Sequence, residues 1–233
     1  MIKKTLVFTA TLNEYPNVKI LLKKISNLNI NIDILIVDDN SNDGTLEYLK
    51  EYSKRNHFFK LIERKRKLGL DTAHKIAFQY AKKKKYSKLI TMDADLSHDP
   101  KLIPSFIKLL ETKNFVIGSR YIRGGKCDMR GFRLFLSVFG NSFIKFFLKI
   151  NSNEFTTSYR GFNLQKLSKF NMLQVKSSGY SFFMETIFLI NKLKINIHEV
   201  PIHFKNRFSG NSKIPKKEIL RTFYNVIRLK LFK

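Results

Sequence analysis

Apolar runs and amphipathic segments alternate regularly along the first half of the chain. The apolar runs have the length of strands, at 4–10, 32–39, 58–63, 88–93 and 115–120. Between them, apolar residues recur with helical spacing over 16–26, 44–55, 71–83 and 100–111. Continuous apolar strands separated by helices of this length predict an α/β fold with a mostly parallel sheet flanked by helices. Right-handed crossovers then place the carboxyl ends of the strands, and the loops that follow them, at one edge.

The pattern changes after about residue 125. Residues 131–150 are rich in phenylalanine, and polar residues recur at every fourth position, which predicts an amphipathic helix. The polar positions are Arg133, Ser137, Asn141, Lys145 and Lys149. Two interpretations stay open, a helix at a membrane interface with its basic residues at anionic head groups, or a helix packed on its own domain. Its charged residues argue against a helix that crosses a bilayer.

The pattern of the remaining residues predicts further features. They are a strand at 159–164, a helix at 180–193, an alternating strand at 195–204 and a turn-rich loop at 207–213. A second basic amphipathic helix is predicted over 215–233. Nothing in the composition marks a linker, so the pattern predicts one domain over residues 1–233.

The segment 89–100, LITMDADLSHDP, carries the clearest chemical signal. An apolar strand ends there in two acids on alternate positions, Asp93 and Asp95. Open α/β sheets bind ligands at the carboxyl ends of their strands, and a carboxylate pair at such an edge suits a hard cation that bridges phosphate oxygens. The plainer interpretation is a strand end with two solvated acids. His98 is expected to be a surface residue at a helix start.

Two other loops should face the same crevice. The first predicted strand is followed by Asn13 and Glu14, and the second by Asp38 and Asp39 in DDNSNDGT, residues 38–45. The second loop resembles the start of an EF-hand, but Lys50 stands where the closing glutamate would be, so the calcium interpretation fails. A turn that caps the next helix accounts for it.

Composition limits the classes of partner. Against 18 Asp and Glu there are 44 Lys and Arg, a formal net charge of +26, which favours nucleic acid, a membrane surface or a phosphorylated substrate. Nucleic acid is disfavoured because no binding motif is present and acidic loops repel phosphate. The basic runs 64–67 and 82–85 are expected to be solvated. A single cysteine excludes a disulfide framework and fits a reducing compartment, and the amino terminus predicts a strand rather than a secretory signal.

Taken together, these motifs resemble a known family. The matching segments are TLNEYPNV, IVDDNSNDGT, DADLSHDP, GSRYIRGG, FTTSYRGFN and EVPIHFKNRFSGNSK, in that order over nearly the whole chain. The chain resembles family 2 glycosyltransferases with a GT-A fold, and among them the polyprenyl-phosphate (dolichyl-phosphate) mannosyl- and glucosyltransferases. The resemblance implies a nucleotide-sugar-binding half at 1–125 and an acceptor-binding half at 126–233, with 131–150 and 215–233 as interfacial helices and no transmembrane domain.

The resemblance also implies the substrates and the roles of individual site residues. The donor would be a nucleotide-diphosphate sugar, with GDP-mannose first and UDP-glucose second, and the acceptor a polyprenyl phosphate. Donor-binding positions would be Thr11, Asn13, Glu14, Asp38, Asp39, Asp93 and Asp95. Mg²⁺ or Mn²⁺ would be held by Asp93 and Asp95, with Ser97 at a position where the family often has a metal-binding glutamine. Acceptor-phosphate positions would be Arg120, Arg133, Ser137 and Arg207, and Asp95, Arg120 and Arg207 would take part in catalysis.

The chemistry of such a transfer limits the mechanism. A leaving diphosphate needs its charge neutralised by a metal and arginines, and a lipid phosphate is already anionic and needs no general base. Single displacement with inversion is therefore expected. The alternative within the family is a hydroxyl acceptor in a cell-surface glycan, which would need a base. We expect a cytoplasmic enzyme held peripherally at the cytoplasmic face of a membrane, with or without a membrane-anchoring subunit.

Overall fold

The computed structural model describes residues 4–209 and 217–231, and its centre is a seven-stranded sheet in the order β3-β2-β1-β4-β7-β5-β8. The strands are β1 (Thr5–Thr11), β2 (Ile32–Asp38), β3 (Phe59–Glu63), β4 (Lys88–Thr91), β5 (Phe115–Ser119), β7 (Arg160–Asn163) and β8 (Ile197–Pro201). All run parallel except β7, which lies antiparallel between β4 and β5. A separate two-stranded sheet pairs β6 (Lys126–Cys127) with β9 (His203–Phe204).

Helices cover both faces of this sheet. They are α1 (Tyr15–Ser26), α2 (Thr45–Arg55), α3 (Leu70–Lys83), α4 (Ile103–Thr112), α5 (Gly131–Leu148), α6 (Tyr180–Lys192) and α7 (Lys217–Leu231), with 3-10 turns at Pro100–Leu102 and Met172–Gln174. Successive strand residues point to opposite faces, so Leu6 and Phe8 join a core with α3 and α6, whereas Val7 joins a core with α1 and α4. The predicted α/β class with a mostly parallel sheet is confirmed.

The element boundaries differ from prediction mainly beside the crevice. The predicted strand 88–93 ends at Thr91, and its last ladder bond runs from the Met92 amide to the Phe8 carbonyl at 3.0 Å. Asp93 and Asp95 therefore lie in the following loop rather than on the strand. The predicted strand 195–204 is divided into β8 and β9, which belong to different sheets. The predicted loop 207–213 and the predicted helix 215–233 extend beyond the described residues.

Helix α5 presents its phenylalanines to the outside and its polar stripe to the domain. Asn141 is 3% exposed and its Oδ1 accepts a hydrogen bond from the Phe155 amide at 2.8 Å. One turn earlier, Ser137 accepts a hydrogen bond from the Tyr121 hydroxyl at 2.7 Å. The helix is amphipathic as predicted. The middle of the polar stripe binds the protein, as expected for a helix packed on its own domain, whereas Arg133 and Lys149 at the two ends of the stripe are exposed.

Helix α7 packs against α5 and also carries exposed apolar side chains. We call the exposed apolar side chains of these two helices the apolar face: Phe132, Phe135, Val138, Phe139, Phe146, Phe147, Leu220, Tyr224, Ile227 and Leu231. The two helices meet where the ring of Phe143 lies 4.6 Å from that of Phe223. By length and composition alone, α5 qualifies as a possible membrane span, although charge was expected to disqualify it. Its buried residues Asn141, Ile144 and Leu148 nevertheless attach one side of it to the domain.

Candidate active site

Four chain segments meet at the carboxyl edge of the sheet. Three follow β1, β2 and β4, and the fourth is the segment 154–159 that precedes β7. Because β7 is antiparallel, its beginning lies beside the end of β4, and the register pairs Thr91 with Arg160. On the other side of β4, the register of β1 and β2 pairs Thr11 with Asp38. The three acidic loops converge as the sequence predicted.

Asp93 and Asp95 of the DADLSHDP loop are each held by a serine hydroxyl. Ser158 Oγ donates to Asp93 Oδ1 at 2.6 Å. Ser97 Oγ donates to Asp95 Oδ1 at 2.6 Å, and the Ser97 amide donates to the same oxygen at 3.0 Å. The Asp93 side chain is 32% exposed and that of Asp95 is 12% exposed, so Asp93 is the more open to the crevice.

The two acids repel each other in a crevice that is only partly open to water. Burial, followed by the negative charge of Asp95, raises the pKa of Asp93 well above its usual range, although the Ser158 hydrogen bond and the charge of Arg207 oppose this. The ionised form of Asp93 is therefore disfavoured unless a positive charge lies nearby. Such a site favours a positively charged group.

Arg207 supplies part of that positive charge. Its Nη1 donates to Glu14 Oε1 at 2.7 Å and its Nη2 lies 3.1 Å from Asp95 Oδ2. The neighbouring backbone is also fixed to the acidic loop, since the Phe208 amide donates to the Asp95 carbonyl at 3.2 Å. Arg207 thus joins the predicted donor and acceptor sides of the crevice, 193 residues from Glu14 in sequence.

His98 is buried, which corrects the expectation of a surface histidine. It is 1% exposed, and its ring packs between Tyr159 and Phe204 at centroid distances of 5.1 and 5.4 Å. Burial is the main cause that lowers the pKa of His98 to about 4, so the ring is neutral at pH 7. Nδ1 accepts from the Asp93 amide at 3.2 Å, which leaves Nε2 to donate to Thr157 Oγ1 at 3.1 Å.

The loop after β2 is built around Asp38. This residue is fully buried, and its carboxylate accepts bonds from Thr11 Oγ1 at 2.7 Å and from the amide and hydroxyl of Ser41 at 2.8 and 2.7 Å. The Asn13 amide in turn donates to Ser41 Oγ at 2.8 Å. Asp38 and Thr11 therefore fix the shape of the donor-side loops, while the Asn13 side chain stays exposed.

Asp39 fixes a second loop through an unexpected partner. Arg64, the first residue of a run predicted to be solvated, is 6% exposed and forms an ion pair with Asp39. The other Asp39 oxygen accepts bonds from the amides of Leu68 and Gly69 at 3.3 and 3.2 Å. The solvated interpretation holds for residues 65–67 but is wrong for Arg64, because a buried carboxylate across the loop needs a counter-charge.

The side chain of Arg120 forms an ion pair with a buried residue, Glu154. Its Nε and Nη2 donate to the two carboxylate oxygens of Glu154 at 2.6 and 2.7 Å, and Nη2 also donates to Thr156 Oγ1 at 2.8 Å. Glu154 is fully buried, and it accepts further bonds from the amides of Thr156 and Thr157. The structure thus places a predicted phosphate-binding arginine in a bidentate ion pair that shapes the acceptor side.

Arg133 and Ser137 lie one turn apart on α5. Arg133 is exposed, and its guanidinium makes no hydrogen bond or ion pair with the described residues. Ser137 is linked through Tyr121 to Arg120, whose guanidinium carbon lies 4.8 Å from the centroid of the Tyr121 ring. The start of α5 therefore adjoins the Arg120 side of the crevice. There, the guanidinium of Arg133 has no partner among the described residues.

This arrangement of loops and sheet has known counterparts. The family described as Glycosyl transferase family 2 matches residues 6–170. The chain belongs to that family. The mostly parallel sheet flanked by helices is the GT-A fold, which the solved structures below share.

Two relatives of this family 2 glycosyltransferase align over nearly its whole length. An undecaprenyl-phosphate mannosyltransferase from Micrococcus luteus is 30% identical over 226 residues, covering 97% of this chain and 93% of the relative. A polyprenol monophosphomannose synthase from Mycolicibacterium smegmatis is 31% identical over 232 residues, covering 96% and 86%.

Solved structures of glucosyl-3-phosphoglycerate synthase from Mycobacterium tuberculosis share the fold. The complex with UDP superposes with a TM-score of 0.69 at 15% identity, covering 98% of this chain and 80% of that one. The complex with Mn²⁺, UDP and glucosyl-3-phosphoglycerate gives 0.68 at 16% identity, with 99% and 80% covered. At this level of identity, the likeness establishes the GT-A fold.

The carboxylate oxygens in this family 2 glycosyltransferase suit a metal cation whose other ligands come from the substrate or from water. No described residue donates a hydrogen bond to Asp93 Oδ2, and Asp95 Oδ2 meets Arg207. Within residues 4–209 and 217–231, no group of three or more His, Cys, Asp or Glu could hold a metal. Two carboxylate oxygens fit a hard divalent cation only if diphosphate oxygens or water complete its coordination.

Sequence reasoning overlooked two residues at this site. Ser158 lies in the motif FTTSYRGFN that carries the resemblance and Glu154 directly precedes that motif, but neither was assigned a role from the sequence alone. Their partners, Asp93 and Arg120, are 65 and 34 residues away. The available signal in the sequence was a carboxylate followed by a run of hydroxyl residues before a short strand. Its importance depends on the antiparallel direction of β7, which places this segment beside the end of β4.

Proposed function

We propose that this enzyme transfers a hexose, mannose first, from a nucleotide-diphosphate sugar to a polyprenyl phosphate with inversion at the anomeric carbon. The observation that carries the proposal is that an exposed apolar face lies beside an acidic crevice. The relatives that align over nearly the whole chain are named as an undecaprenyl-phosphate mannosyltransferase and a polyprenol monophosphomannose synthase. A water-soluble acceptor would give no reason for so many phenylalanines on the outside.

The donor side would bind the diphosphate through charge. A divalent cation, Mg²⁺ or Mn²⁺, held by Asp93 and Asp95 would neutralise the leaving diphosphate. Among the described residues, Arg207 is a cation that contacts both Glu14 and Asp95, and the donor phosphates would compete with these acids for its guanidinium. Asn13, exposed at the end of β1, and the loop fixed by Asp39 would face the nucleoside.

The acceptor side would orient an anion. A phosphate oxygen of the lipid would form the new bond to the anomeric carbon while the bond to the donor diphosphate breaks, with its electron pair leaving on the nucleoside diphosphate. No proton is transferred, so no general base is needed. This agrees with His98, whose two ring nitrogens are both engaged. A hydroxyl acceptor would need such a base.

The substrate class is tested with radiolabelled donors. GDP-mannose and UDP-glucose are each incubated with polyprenyl phosphate and membranes, with Mg²⁺ or Mn²⁺. Label in an acid-labile lipid fraction supports the proposal, and GDP-mannose should give the faster reaction. Label found only in polysaccharide contradicts it and favours the hydroxyl acceptor.

Arg133→Ala is expected to weaken acceptor use selectively. Loss of one charge-assisted bond to the lipid phosphate should raise the acceptor KM by roughly 10-fold or more, with the donor KM little changed. Steady-state kinetics with each substrate varied gives both constants. Arg55→Ala, which removes the same charge from the exposed end of α2, is the matched control. Equal effects on both substrates would reject the role assigned to Arg133.

The apolar face supports peripheral attachment at the cytoplasmic surface of a membrane. Exposed Arg123, Lys126, Arg130 and Arg133 lie before or at the start of α5 and could meet anionic head groups. Because one side of α5 packs on the domain, the helix would lie in the interface rather than cross it. A membrane-anchoring subunit would be a competing occupant of the same face.

Removing phenylalanines from this face should release the protein from lipid. Phe132, Phe135 and Phe139 are 72%, 60% and 49% exposed, and changing all three to serine should lower partitioning onto anionic vesicles by about 100-fold or more. Vesicle co-sedimentation measures it, and Leu173→Ser, at a leucine 45% exposed outside the apolar face, is the control. Unchanged binding, or wild-type protein that resists carbonate extraction, would contradict peripheral attachment.

A further inference from the structure

The two acids of the crevice are held in the same way by two buried serines. Ser158 Oγ bonds Asp93 Oδ1 and Ser97 Oγ bonds Asp95 Oδ1, each at 2.6 Å. The two serines are 2% and 1% exposed. In both carboxylates Oδ1 is therefore engaged by a hydroxyl. Asp93 Oδ2 accepts no hydrogen bond from a described residue, and Asp95 Oδ2 faces Arg207, whose guanidinium the donor phosphates would draw away in the proposed function.

The backbone around each serine is itself fixed. Arg160, which is 1% exposed, donates to the carbonyls of Thr157 and Phe155 at 2.8 and 2.9 Å, so the peptides just before Ser158 cannot shift freely. On the other side, the Ser97 carbonyl accepts a bond from the Lys205 amide at 3.1 Å. Hydroxyls on such anchored segments hold their carboxylates in one rotamer.

We propose that Ser97 and Ser158 are a matched pair of positioning residues that present Asp93 Oδ2 and Asp95 Oδ2 to the cation, and that Ser97 is not itself a ligand. This rests on the metal-dependent donor binding of the proposed function. It replaces the expectation that Ser97 takes the place of a metal-binding glutamine. The Ser97 hydroxyl is already used on Asp95, at a distance typical of a strong bond to an ionised oxygen.

A consequence for metal binding follows from the ligand count. Two protein oxygens leave about four positions of a six-coordinate cation to donor phosphates and water. The protein alone should therefore hold the cation weakly, and the nucleotide should strengthen the binding. If Ser97 were a third ligand, or either carboxylate bound through both oxygens, this dependence would be smaller.

Ser97→Ala, Ser158→Ala and the double variant test the proposal. Mn²⁺ binding is measured by electron paramagnetic resonance with and without GDP or UDP, and transfer is titrated with Mn²⁺. Each single variant should raise the Kd of Mn²⁺ in the nucleotide complex by about 10-fold, the low end for losing a bond to a metal-ligating group. The kcat at saturating Mn²⁺ should stay within about threefold, because both ligand oxygens remain.

Ser152→Ala is the matched control. Ser152 is fully buried and its hydroxyl bonds the Glu154 carbonyl, so the variant loses a buried hydroxyl without touching either acid. Its Mn²⁺ affinity should equal that of the wild type. If an alanine variant does not fold, Ser158→Cys or Ser97→Cys, with a similar volume and a weaker donor, is expected to show the same loss.

The outcomes separate this inference from the proposed function. Wild-type protein without Mn²⁺-dependent nucleotide binding would overturn both. Wild-type binding with Mn²⁺ affinity unchanged in the serine variants would overturn the positioning role alone. A Ser97→Ala variant that loses kcat even at saturating Mn²⁺ would make Ser97 a ligand, against the proposal.

Discussion

Asp95→Ala is expected to abolish sugar transfer, with kcat falling by at least about 1,000-fold. Asp95 is one of the two acids proposed to hold the cation, and its Oδ2 also faces Arg207 at 3.1 Å. Its loss removes the charge that would hold both positive groups against the leaving diphosphate. Metal-dependent binding of the nucleotide, measured by calorimetry with Mn²⁺ and GDP or UDP, should be lost together with turnover.

The expected loss is local to the crevice. Arg207 keeps its bond to Glu14 in the variant, so the thermal unfolding midpoint should change far less than activity. Glu51→Ala, which removes an exposed carboxylate on α2, is the matched control and should retain transfer. Turnover by Asp95→Ala at the wild-type rate would remove the metal assignment.

Glu154→Ala is expected to have the largest effect on stability. Glu154 is fully buried, and its removal leaves the guanidinium of Arg120, 8% exposed, without its bidentate partner. An uncompensated buried charge of this kind costs about 3–5 kcal/mol of unfolding free energy. For a chain of this length, the midpoint of thermal unfolding should fall by about 10 °C. Glu63→Ala, which removes the exposed partner of Lys50, should change it little.

A double variant separates stability from catalysis. Arg120→Met with Glu154→Leu replaces the ion pair with apolar groups of similar size and should recover most of the lost stability. It should stay inactive if Arg120 also helps to orient phosphate. Full activity in the stable double variant would contradict any role of Arg120 beyond shaping the segment 154–159.

The same pair predicts a dependence of stability on pH. Burial by itself would raise the pKa of Glu154, but the charge and hydrogen bonds of Arg120 outweigh it and lower the pKa. The stability that the pair contributes is therefore present above the unfolded pKa of about 4.3 and is lost as pH falls through the folded pKa. Wild-type protein should lose more unfolding free energy on acidification than the double variant, which chemical denaturation at several pH values would measure.

The sequence predicted the elements of this protein well because their signals are local. Apolar runs and helical spacing placed β1, β2 and α1 to within two residues of their observed ends, and the parallel order placed the loops of Asp38 and Asp93 at one edge. The same local pattern predicted that α5 has an apolar and a polar side. It could not say which side faces the domain, because that depends on what packs against the helix.

What the sequence by itself determined is the α/β class, the approximate boundaries of most elements and the set of charged residues at one end of the sheet. Only the tertiary structure decided which of those residues meet. The antiparallel direction of β7 brings Ser158 to Asp93 and Glu154 to Arg120, and the segment after β9 brings Arg207 to Glu14 across 193 residues. These contacts depend on the packing of distant segments, and neither strand periodicity nor helix periodicity contains that information.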